Sequence, residues 1–391
     1  MASILMGSVN ICHGVYSFLV SVVQAAHLYL SDDQKHRKKE KSPRGIGLSP
    51  SEPLPEKLPS AVEIKRVIPS ICFQPTVATS MYYAVMDFVM IALTYIAIIY
   101  LQEVPNTLFR VVTMLIYWGV QGTLFTAIFV IGHDCGHDSF SRYPVFNDII
   151  GTIWHAFLLV PYYMWKLSHR HHHKNTANID HDEVFYPVRE SDQGSDGKVL
   201  PGFGLGTGWF GYLILGYRPR VVRHFNPYNP MFNNHFFGCV MSLIAWSFMA
   251  YLLALYTWHH GFLALFCYYA VPLFIFASYA VIITFLHHNE MNVPWFGDEK
   301  WDFVRGQLSS IDRHYGIVHH VIHSIGTHQM HHMFSKIPHY HLEEATAHFR
   351  KEFPDLVRVC DEPIMTSFFR MYKKFDAQGV ISDDKKVHYY E

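Results

Sequence analysis

The sequence is poor in charge and lacks an excess of either sign. Its 391 residues include 31 Lys and Arg against 32 Asp and Glu, which gives a formal net charge of −1. A protein that binds nucleic acid through its overall charge needs a basic excess to neutralise phosphates, so this class is excluded. Charged residues make up 16% of the chain and hydrophobic residues 50%, whereas a soluble domain has roughly a quarter of its residues charged. This balance indicates a membrane protein.

Paired cysteines and cofactor fingerprints are also absent. The six cysteines are scattered and several lie in apolar runs, so we expect no disulfide framework and a reducing surrounding for the chemistry. No Gly-rich dinucleotide-binding motif follows a strand pattern, and no His-Pro-Gly-Gly haem motif occurs. If the chain performs redox chemistry, a separate protein must supply the electrons.

Four apolar stretches are long enough to cross a bilayer, which takes about 20 residues each. They are 81–101, 108–132, 236–258 and 262–286. The link within each pair is too short for anything but a tight turn and contains no Lys or Arg, whereas basic residues gather before, between and after the pairs. The positive-inside rule therefore predicts two hairpins whose tips point into the lumen and three cytosolic regions.

A fifth apolar segment, 145–165, has about the length of one span but contains Asp148, His155 and Pro161. A single crossing here would place the histidine clusters on either side of it on opposite faces of the membrane. We therefore predict a re-entrant or interfacial helix packed under the region that carries these clusters.

The sequence divides into three regions. Residues 1–60 combine an apolar run, a Lys/Arg-rich run and a Pro/Ser/Gly-rich stretch, which predicts a flexible or interfacial region rather than a cleaved signal peptide. Residues 61–350 form the membrane domain, and residues 351–391 form a cytosolic C-terminal tail. The predicted fold is an all-α integral membrane protein with four transmembrane helices in two hairpins, the re-entrant or interfacial helix, and a cytosolic helical cap that carries the histidines.

Three histidine clusters carry the chemistry. On a helix, residues three and four apart share a face, so the converging members are His133 and His137; His169, His172 and His173; and His328, His331 and His332. His171 lies about 200° around the helix from His169 and is interpreted as a bystander. Eight imidazoles exceed what one tetrahedral zinc ion uses. They suit a pair of transition metal ions with nitrogen ligands, with iron as the first candidate.

These clusters, their order and their position after the second and fourth apolar stretches resemble the membrane-bound fatty acid desaturases, and within them the methyl-end (Δ12 and omega-3) subgroup. The resemblance covers most of residues 62–350. It is carried by strings such as GHDCGHDSFS (132–141), HRHHHKNT (169–176), DEVF (182–185), HFNPYNPMF (224–232) and IGTHQMHHMFSKIPHYHLEEAT (325–346).

The resemblance implies a di-iron centre ligated by histidines alone, namely the eight converging imidazoles and a ninth just past the fourth span. His288 matches that ninth position, His287 is a possible substitute, and His323 is left as a spare or outer residue. Asp134, Asp182, Glu183 and Asp312 are candidates to orient the imidazoles, although each is equally a solvated carboxylate.

The implied activity is the O₂-dependent insertion of a cis double bond into an unsaturated acyl chain on a lipid or CoA carrier. Cytochrome b5 and its NADH-dependent reductase are the implied electron source, docked on basic residues such as those at 218, 220 and 223. The implied location is the endoplasmic reticulum membrane, with the catalytic face in the cytosol. Four aromatic residues either line the mouth of the acyl channel or form an interfacial belt; they are Trp154, Tyr162, Tyr163 and Trp165.

Several alternatives remain open. Residues 132–141 and 325–346 look more like omega-3 enzymes, whereas 169–176 with 182–185 look more like Δ12 enzymes, and omega-3 is favoured. An acyl hydroxylase, conjugase or epoxygenase on the same fold differs only in the outcome after the first hydrogen abstraction. A metal transporter, or a zinc-dependent membrane hydrolase or receptor, is the alternative from another class, although a transporter would place its ligands near the bilayer midplane.

Overall fold

The computed structural model of the chain describes residues 54–192 and 203–391, and these residues form an almost entirely helical protein. The strands in these ranges are two residues long and pair only in twos, so they build no sheet layer. The predicted all-α class is confirmed. Of the region predicted as flexible or interfacial, 1–60, residues 1–53 lie outside the described ranges.

The first hairpin is preceded by a short helix, α1, Ala61–Val67, and consists of α2, Val77–Leu101, and α3, Thr107–His137. Asn106 begins α3, because its side-chain oxygen accepts the backbone N–H of Phe109 at 2.9 Å. Helix α3 continues past residue 132, where the predicted apolar stretch ends, so the first histidine cluster forms the last turn of a helix that is anchored among the spans.

The predicted fifth segment is broken into two helices, α4, Pro144–Phe157, and α5, Tyr162–Lys174, which are bent by 106°. Pro161 lies in the break, where its ring does not allow the preceding helix to continue. The bend brings the ring of His169 to 4.8 Å from that of His133, measured between centroids. The segment therefore returns the chain to the side of the first cluster, and a single crossing between the two clusters is excluded.

Gly132 allows α4 to pack directly against α3 below the first cluster. A Cβ atom at this position would lie 2.2 Å from the ring of His155. His155 is fully buried there, with Nε2 3.1 Å from the carbonyl oxygen of Phe129. A side chain at residue 132 would push the bent pair away from the histidines that follow it.

The second hairpin follows a short helix, α6, Thr207–Leu215, and consists of α7, Phe236–His260, and α8, Phe262–His288. Gly261 makes the turn at a φ of 83°, in the left-handed region that favours glycine. Helix α8 contains one π-helical turn, Phe266–Ala270. It also extends past residue 286, where the predicted apolar stretch ends, so His288 is its last residue.

Helices α2, α3, α7 and α8 are the predicted spans. Within the described ranges they are the four single helices long and apolar enough to cross a membrane. Their outer faces carry large exposed apolar side chains, such as Leu108 at 74%, Phe237 at 77% and Trp258 at 85% exposure. A soluble surface rarely presents apolar patches of this extent, whereas a lipid-facing surface requires them.

The remaining residues form a cap over one end of the spans. Its helices are α9, Phe303–Leu308; α10, His328–Met333; α11, His339–Glu352; and α12, Ile364–Gln378. Its strands are β1, Val188–Arg189; β2, Trp295–Phe296; β3, Asp312–Arg313; β4, Val359–Cys360; β5, Val380–Ile381; and β6, Val387–His388. Strand β1 pairs with β5, β2 with β6, and β3 with β4. The C-terminal region therefore contributes one strand to each pair and is folded onto the cap.

The fold makes a prediction about topology. A glycosylation acceptor with a flexible spacer, inserted between residues 193 and 202, remains unmodified, because the basic residues between the two hairpins predict a cytosolic location for this part of the sequence. The same insertion at Gly261, in the turn between α7 and α8, is modified. A gel-shift assay in microsomes reads both outcomes. Modification between 193 and 202 would contradict the predicted orientation.

Candidate metal centre

The three histidine clusters and His288 meet at one end of the long helices. The first cluster ends α3, the second ends α5, His288 ends α8, and the third forms α10. Each helix presents its histidines at the spacing that brings side chains onto one face. Four segments far apart in the sequence thus point their imidazoles at a common interior.

The imidazoles fall into two groups. In each group, one ring nitrogen per residue lies within 4.8 Å of every other. The first contains His133, His137, His169, His173 and His331, and the second contains His172, His288 and His332. His328 joins the second group, since its Nε2 lies 3.2 Å from Nε2 of His288. All nine predicted ligands are therefore brought together.

The distances between ring nitrogens suit a shared ion. Nε2 of His172 lies 3.1 Å from Nε2 of His288, and Nε2 of His169 lies 3.2 Å from Nε2 of His173. Two imidazole nitrogens that bind one metal ion at about 2.0–2.1 Å lie about 3 Å apart. Both groups therefore have the spacing of a ligand set.

Several of these nitrogens have no hydrogen-bond partner although they are buried. They include Nε2 of His137, Nε2 of His331 and Nε2 of His332. A buried polar atom without a partner costs about 1–3 kcal/mol, and three of them side by side demand an explanation. A bound cation satisfies the lone pairs, so the residues present fit a pair of metal ions.

The environment keeps the third cluster neutral. Burial, followed by the neighbouring imidazoles, holds the pKa of His328 well below its usual range. Burial and nearby imidazoles act in the same direction on the pKa values of His331 and His332. Neutral imidazole is the form that binds a metal, so these side chains need not lose a proton first.

His287 and His323, the alternatives to His288, are engaged elsewhere. Nδ1 of His287 contacts the carbonyl oxygen of Ile311, and its Nε2 lies 2.9 Å from the hydroxyl of Tyr315. Nε2 of His323 lies 2.6 Å from a carboxylate oxygen of Asp87 in α2. The structure therefore brings His288, and neither alternative, into the groups.

Asp182 orients one of the imidazoles directly. Its Oδ1 lies 2.7 Å from Nδ1 of His172, and the backbone N–H groups of Ala177 and Glu183 donate to the same carboxylate at 3.0 and 2.7 Å. A carboxylate that accepts the Nδ1–H leaves Nε2 unprotonated and facing the second group. Of the four candidate carboxylates, Asp182 has the closest contact with the imidazole ring of a predicted ligand.

Arg220 holds the loop that carries Asp182, a role that the sequence did not predict. The sequence suggested that its charge docks an electron carrier. Its guanidinium instead donates to the carbonyl oxygens of Ile179, Asp180 and Asp182 at 2.9, 3.2 and 2.6 Å. It also stacks 3.5 Å from the ring centroid of Tyr186. These contacts use three of the five guanidinium N–H groups and fix the loop that carries Asp182.

The other three carboxylates act on the backbone or on residues outside the groups. Asp312 accepts the backbone N–H of His328 at 2.6 Å, which fixes the start of α10. Asp134 bonds to the ring of His339 at 2.9 Å and lies 3.6 Å from Nδ1 of His133, too far for a hydrogen bond. Glu183 bonds to Ser168 at 2.8 Å.

Two orienting residues were missed by sequence reasoning. Nδ1 of His332 lies 3.0 Å from the hydroxyl of Thr176 and 3.3 Å from the side-chain oxygen of Gln307. Thr176 follows His172 at a spacing of four residues, which is a signal that sequence reasoning had available. Gln307 lies in α9, and no sequence pattern connects it to the third cluster.

A narrow cavity of about 70 Å³ adjoins the two groups. Histidines of all three clusters line one part, and apolar side chains such as Phe129, Trp209 and Val281 line the rest. Of the four aromatic residues predicted for a channel mouth, Trp165 lines this cavity. The cavity therefore combines an apolar lining with histidine side chains at one part of its wall.

Comparisons with known proteins agree with this geometry. Residues 105–363 match the family model described as Fatty acid desaturase. The chain is 40% identical over 323 residues to the sn-1 acyl-lipid omega-3 desaturase (ferredoxin) of Nostoc sp. (strain 36), covering 80% of this chain and 87% of that protein. It is 38% identical over 331 residues to the omega-6 fatty acid desaturase, endoplasmic reticulum isozyme 2, of Glycine max, covering 80% and 85%. It is 34% identical over 365 residues to the Delta(12) acyl-lipid conjugase (11E,13E-forming) of Impatiens balsamina, covering 87% and 93%.

The contact between Asp182 and His172 predicts the effect of a substitution. Asp182→Asn keeps the shape but removes the anion that fixes the tautomer of His172, so the affinity of the purified protein for Fe²⁺ falls about 10–100-fold. Metal titration of the metal-free protein measures this. Asp180→Asn, on the same loop, is the matched control, because its carboxylate pairs with Arg189 and touches no histidine of the two groups. Unchanged affinity in Asp182→Asn would contradict the orienting role.

Proposed function

This chain belongs to the fatty acid desaturase family and is a membrane oxidoreductase that acts on fatty acyl chains, and from that premise we propose that it is an O₂-dependent methyl-end desaturase. It inserts a cis double bond into an acyl chain that is already unsaturated. The observation that carries the proposal is the pair of imidazole groups at the wall of an apolar cavity. This arrangement serves the removal of hydrogen from an unactivated hydrocarbon chain.

Two iron ions are the proposed cofactor. The first would be held by His133, His137, His169, His173 and His331, and the second by His172, His288, His328 and His332. When bound, iron supplies the activation of O₂ that the abstraction of hydrogen from a methylene group requires, because no side chain is a sufficient oxidant. Nine imidazoles exceed the needs of one zinc ion, so nothing here favours a zinc hydrolase.

The cavity performs the positioning. Its apolar lining from α3 and α8 excludes water and holds the acyl chain by burial of its methylene groups. Its histidine-lined part determines which carbon atoms lie beside the reacting centre. Holding the flexible acyl chain in one register converts a rare encounter into a fixed geometry. This positioning is the protein's main contribution to the rate.

We propose omega-3 regiochemistry. Support comes from the strings at 132–141 and 325–346 and from the Nostoc relative, whose name specifies an omega-3 desaturase. The Glycine relative is named an omega-6 enzyme and the Impatiens relative a conjugase, so the same architecture supports several outcomes. A conjugase or hydroxylase activity is therefore the second candidate.

The proposed electron donor is cytochrome b5, reduced by its NADH-dependent reductase, at the cytosolic face of the endoplasmic reticulum. Support comes from the missing haem and dinucleotide motifs and from the plant relative, whose name specifies the endoplasmic reticulum. The name of the Nostoc relative specifies ferredoxin, which is also a one-electron carrier. Arg218 and Arg223 are exposed and remain candidates for docking. Reconstitution with each carrier separately distinguishes the two donors.

Expression in yeast supplied with linoleate tests the proposed reaction. We expect a trienoic acid whose new double bond lies three carbons from the methyl end, identified by gas chromatography with mass spectrometry. The His331→Ala variant, which removes one predicted ligand, yields no product. The His181→Ala variant keeps wild-type product levels, because that exposed ring pairs with Asp298 at 3.0 Å and lies outside both groups.

Other products of the same experiment would indicate other activities. A product with one added oxygen atom would indicate a hydroxylase, and a new double bond at Δ12 from endogenous oleate would contradict the omega-3 assignment. Wild-type product from His331→Ala would contradict the assignment of the histidine groups as the reacting centre.

A further inference from the structure

A row of hydrogen-bonding oxygen atoms lies beside the second cluster, and the hydrogen bonds within it involve no imidazole of the two groups. The hydroxyl of Ser168 and the carboxylate oxygen Oε1 of Glu183 lie 2.8 Å apart, and the hydroxyls of Ser168 and Tyr212 also lie 2.8 Å apart. All three side chains are buried. Ser168 comes from α5, Glu183 from the loop after it and Tyr212 from α6, so three separate segments build the row.

The row runs from the cavity towards the partly exposed ring of His171. At its inner end, Tyr212 lines the cavity together with His169 and His172. At its outer end, Oε2 of Glu183 is buried without a hydrogen-bond partner. That oxygen lies 4.0 Å from Nδ1 of His171, whose side chain is 39% exposed. Three hydrogen-bonded side chains therefore lead from Glu183, next to the His171 ring, to the cavity.

Glu183 is suited to carry a proton. The groups that face it are Ser168, Asp182 and Arg220, together with the ring of His171. Burial, with a contribution from the charge of Asp182, raises the pKa of Glu183 to about 8, while Ser168 and Arg220 oppose the rise. A carboxylic acid that is neutral near pH 7 both donates and accepts hydrogen bonds, as a relay requires.

The reaction needs protons from solvent. A desaturation converts R–CH₂–CH₂–R′, O₂, two electrons and two protons into R–CH=CH–R′ and two water molecules. Two C–H bonds and the O–O bond break, and the four O–H bonds that form receive two hydrogens from the substrate and two from solvent. A one-electron carrier supplies the two electrons in two steps. Since the imidazole groups lie in a buried interior, the two solvent protons require a path.

We propose that Glu183, Ser168 and Tyr212 form the path that delivers these protons to the cavity. The hydroxyl of Tyr212 releases its proton into the cavity and receives one from Ser168, which receives one from Glu183, and the carboxylate of Glu183 is protonated again from solvent. Each hydroxyl donates as it accepts, so no buried anion forms on Ser168 or Tyr212. The proposal rests on the proposed O₂-dependent reaction at the histidine groups.

The test compares Glu183→Gln and Ser168→Ala with the wild type, using purified full-length protein in lipid with iron, a reduced electron carrier and a substrate that the wild type desaturates. General acid catalysis typically contributes about 10²–10⁴-fold, and water partly replaces a lost relay, so we expect kcat to fall about 10–100-fold. The KM for the acyl substrate and the iron content stay at wild-type values. The solvent deuterium isotope effect on kcat increases, because proton delivery becomes rate-limiting.

The dependence of kcat on pH distinguishes proton delivery by Glu183 from a purely structural role of this residue. In the wild type, kcat falls as the pH rises through the pKa of Glu183, because the carboxylate has no proton to deliver. This alkaline limb is absent in Glu183→Gln. Ser168→Thr keeps the hydroxyl and restores most of kcat. Ser309→Ala, which removes another buried hydroxyl whose partner is the carbonyl oxygen of Arg305, keeps the wild-type kcat.

Two results would overturn the path. Wild-type kcat and isotope effect in both variants would show that protons reach the cavity elsewhere. Loss of iron from Glu183→Gln and Ser168→Ala would show that these residues only support the second cluster. A wild-type protein that is free of iron and does not consume O₂ with its substrate would overturn the proposed function, and the proton path with it.

Discussion

Neutral imidazole rings, held in a buried interior with their lone pairs turned towards one another, are the constraint on which the rest of the structure depends. Several of their nitrogens have no hydrogen-bond partner among the described residues, and a bound cation would satisfy their lone pairs. The long helices α3 and α8 continue beyond their apolar stretches. Their last turns therefore hold His133, His137 and His288 at fixed positions.

The surrounding residues show how the cap keeps those rings in place. Asp182, held by Arg220, orients His172, while Asp312 fixes the start of α10 and is paired with Arg350 at 2.8 Å. The C-terminal region takes part as well. Glu290, just past the end of α8, is paired with Arg313 at 2.5 Å and with Arg370 of α12 at 2.6 Å. Breaking a fully buried ion pair such as Glu290–Arg313 by removing one partner typically costs about 3–5 kcal/mol, and Arg370, whose side chain is 31% exposed, adds a weaker contact to the same carboxylate. The C-terminal helix therefore stabilises the end of α8 on which His288 lies.

The features that depend on local periodicity could be predicted from the sequence. Apolar length predicts the four spans, and the spacing of His328, His331 and His332 predicts that they share a face. Features that depend on contacts between distant segments could not be predicted from the sequence. Nothing near Arg220 in the sequence shows that its guanidinium binds carbonyl oxygens about 40 residues earlier, and a basic residue in a polar loop is ordinarily solvated. The choice of His288 over His287 depends on which face of α8 meets α10, and that is a property of packing.

Metal analysis of purified protein that converts its acyl substrate tests the central claim most directly. The account predicts two iron ions per chain, with iron lost when His172 or His331, one from each group, is replaced by alanine. Active protein without iron, or active protein with a single zinc ion and no iron, would contradict it.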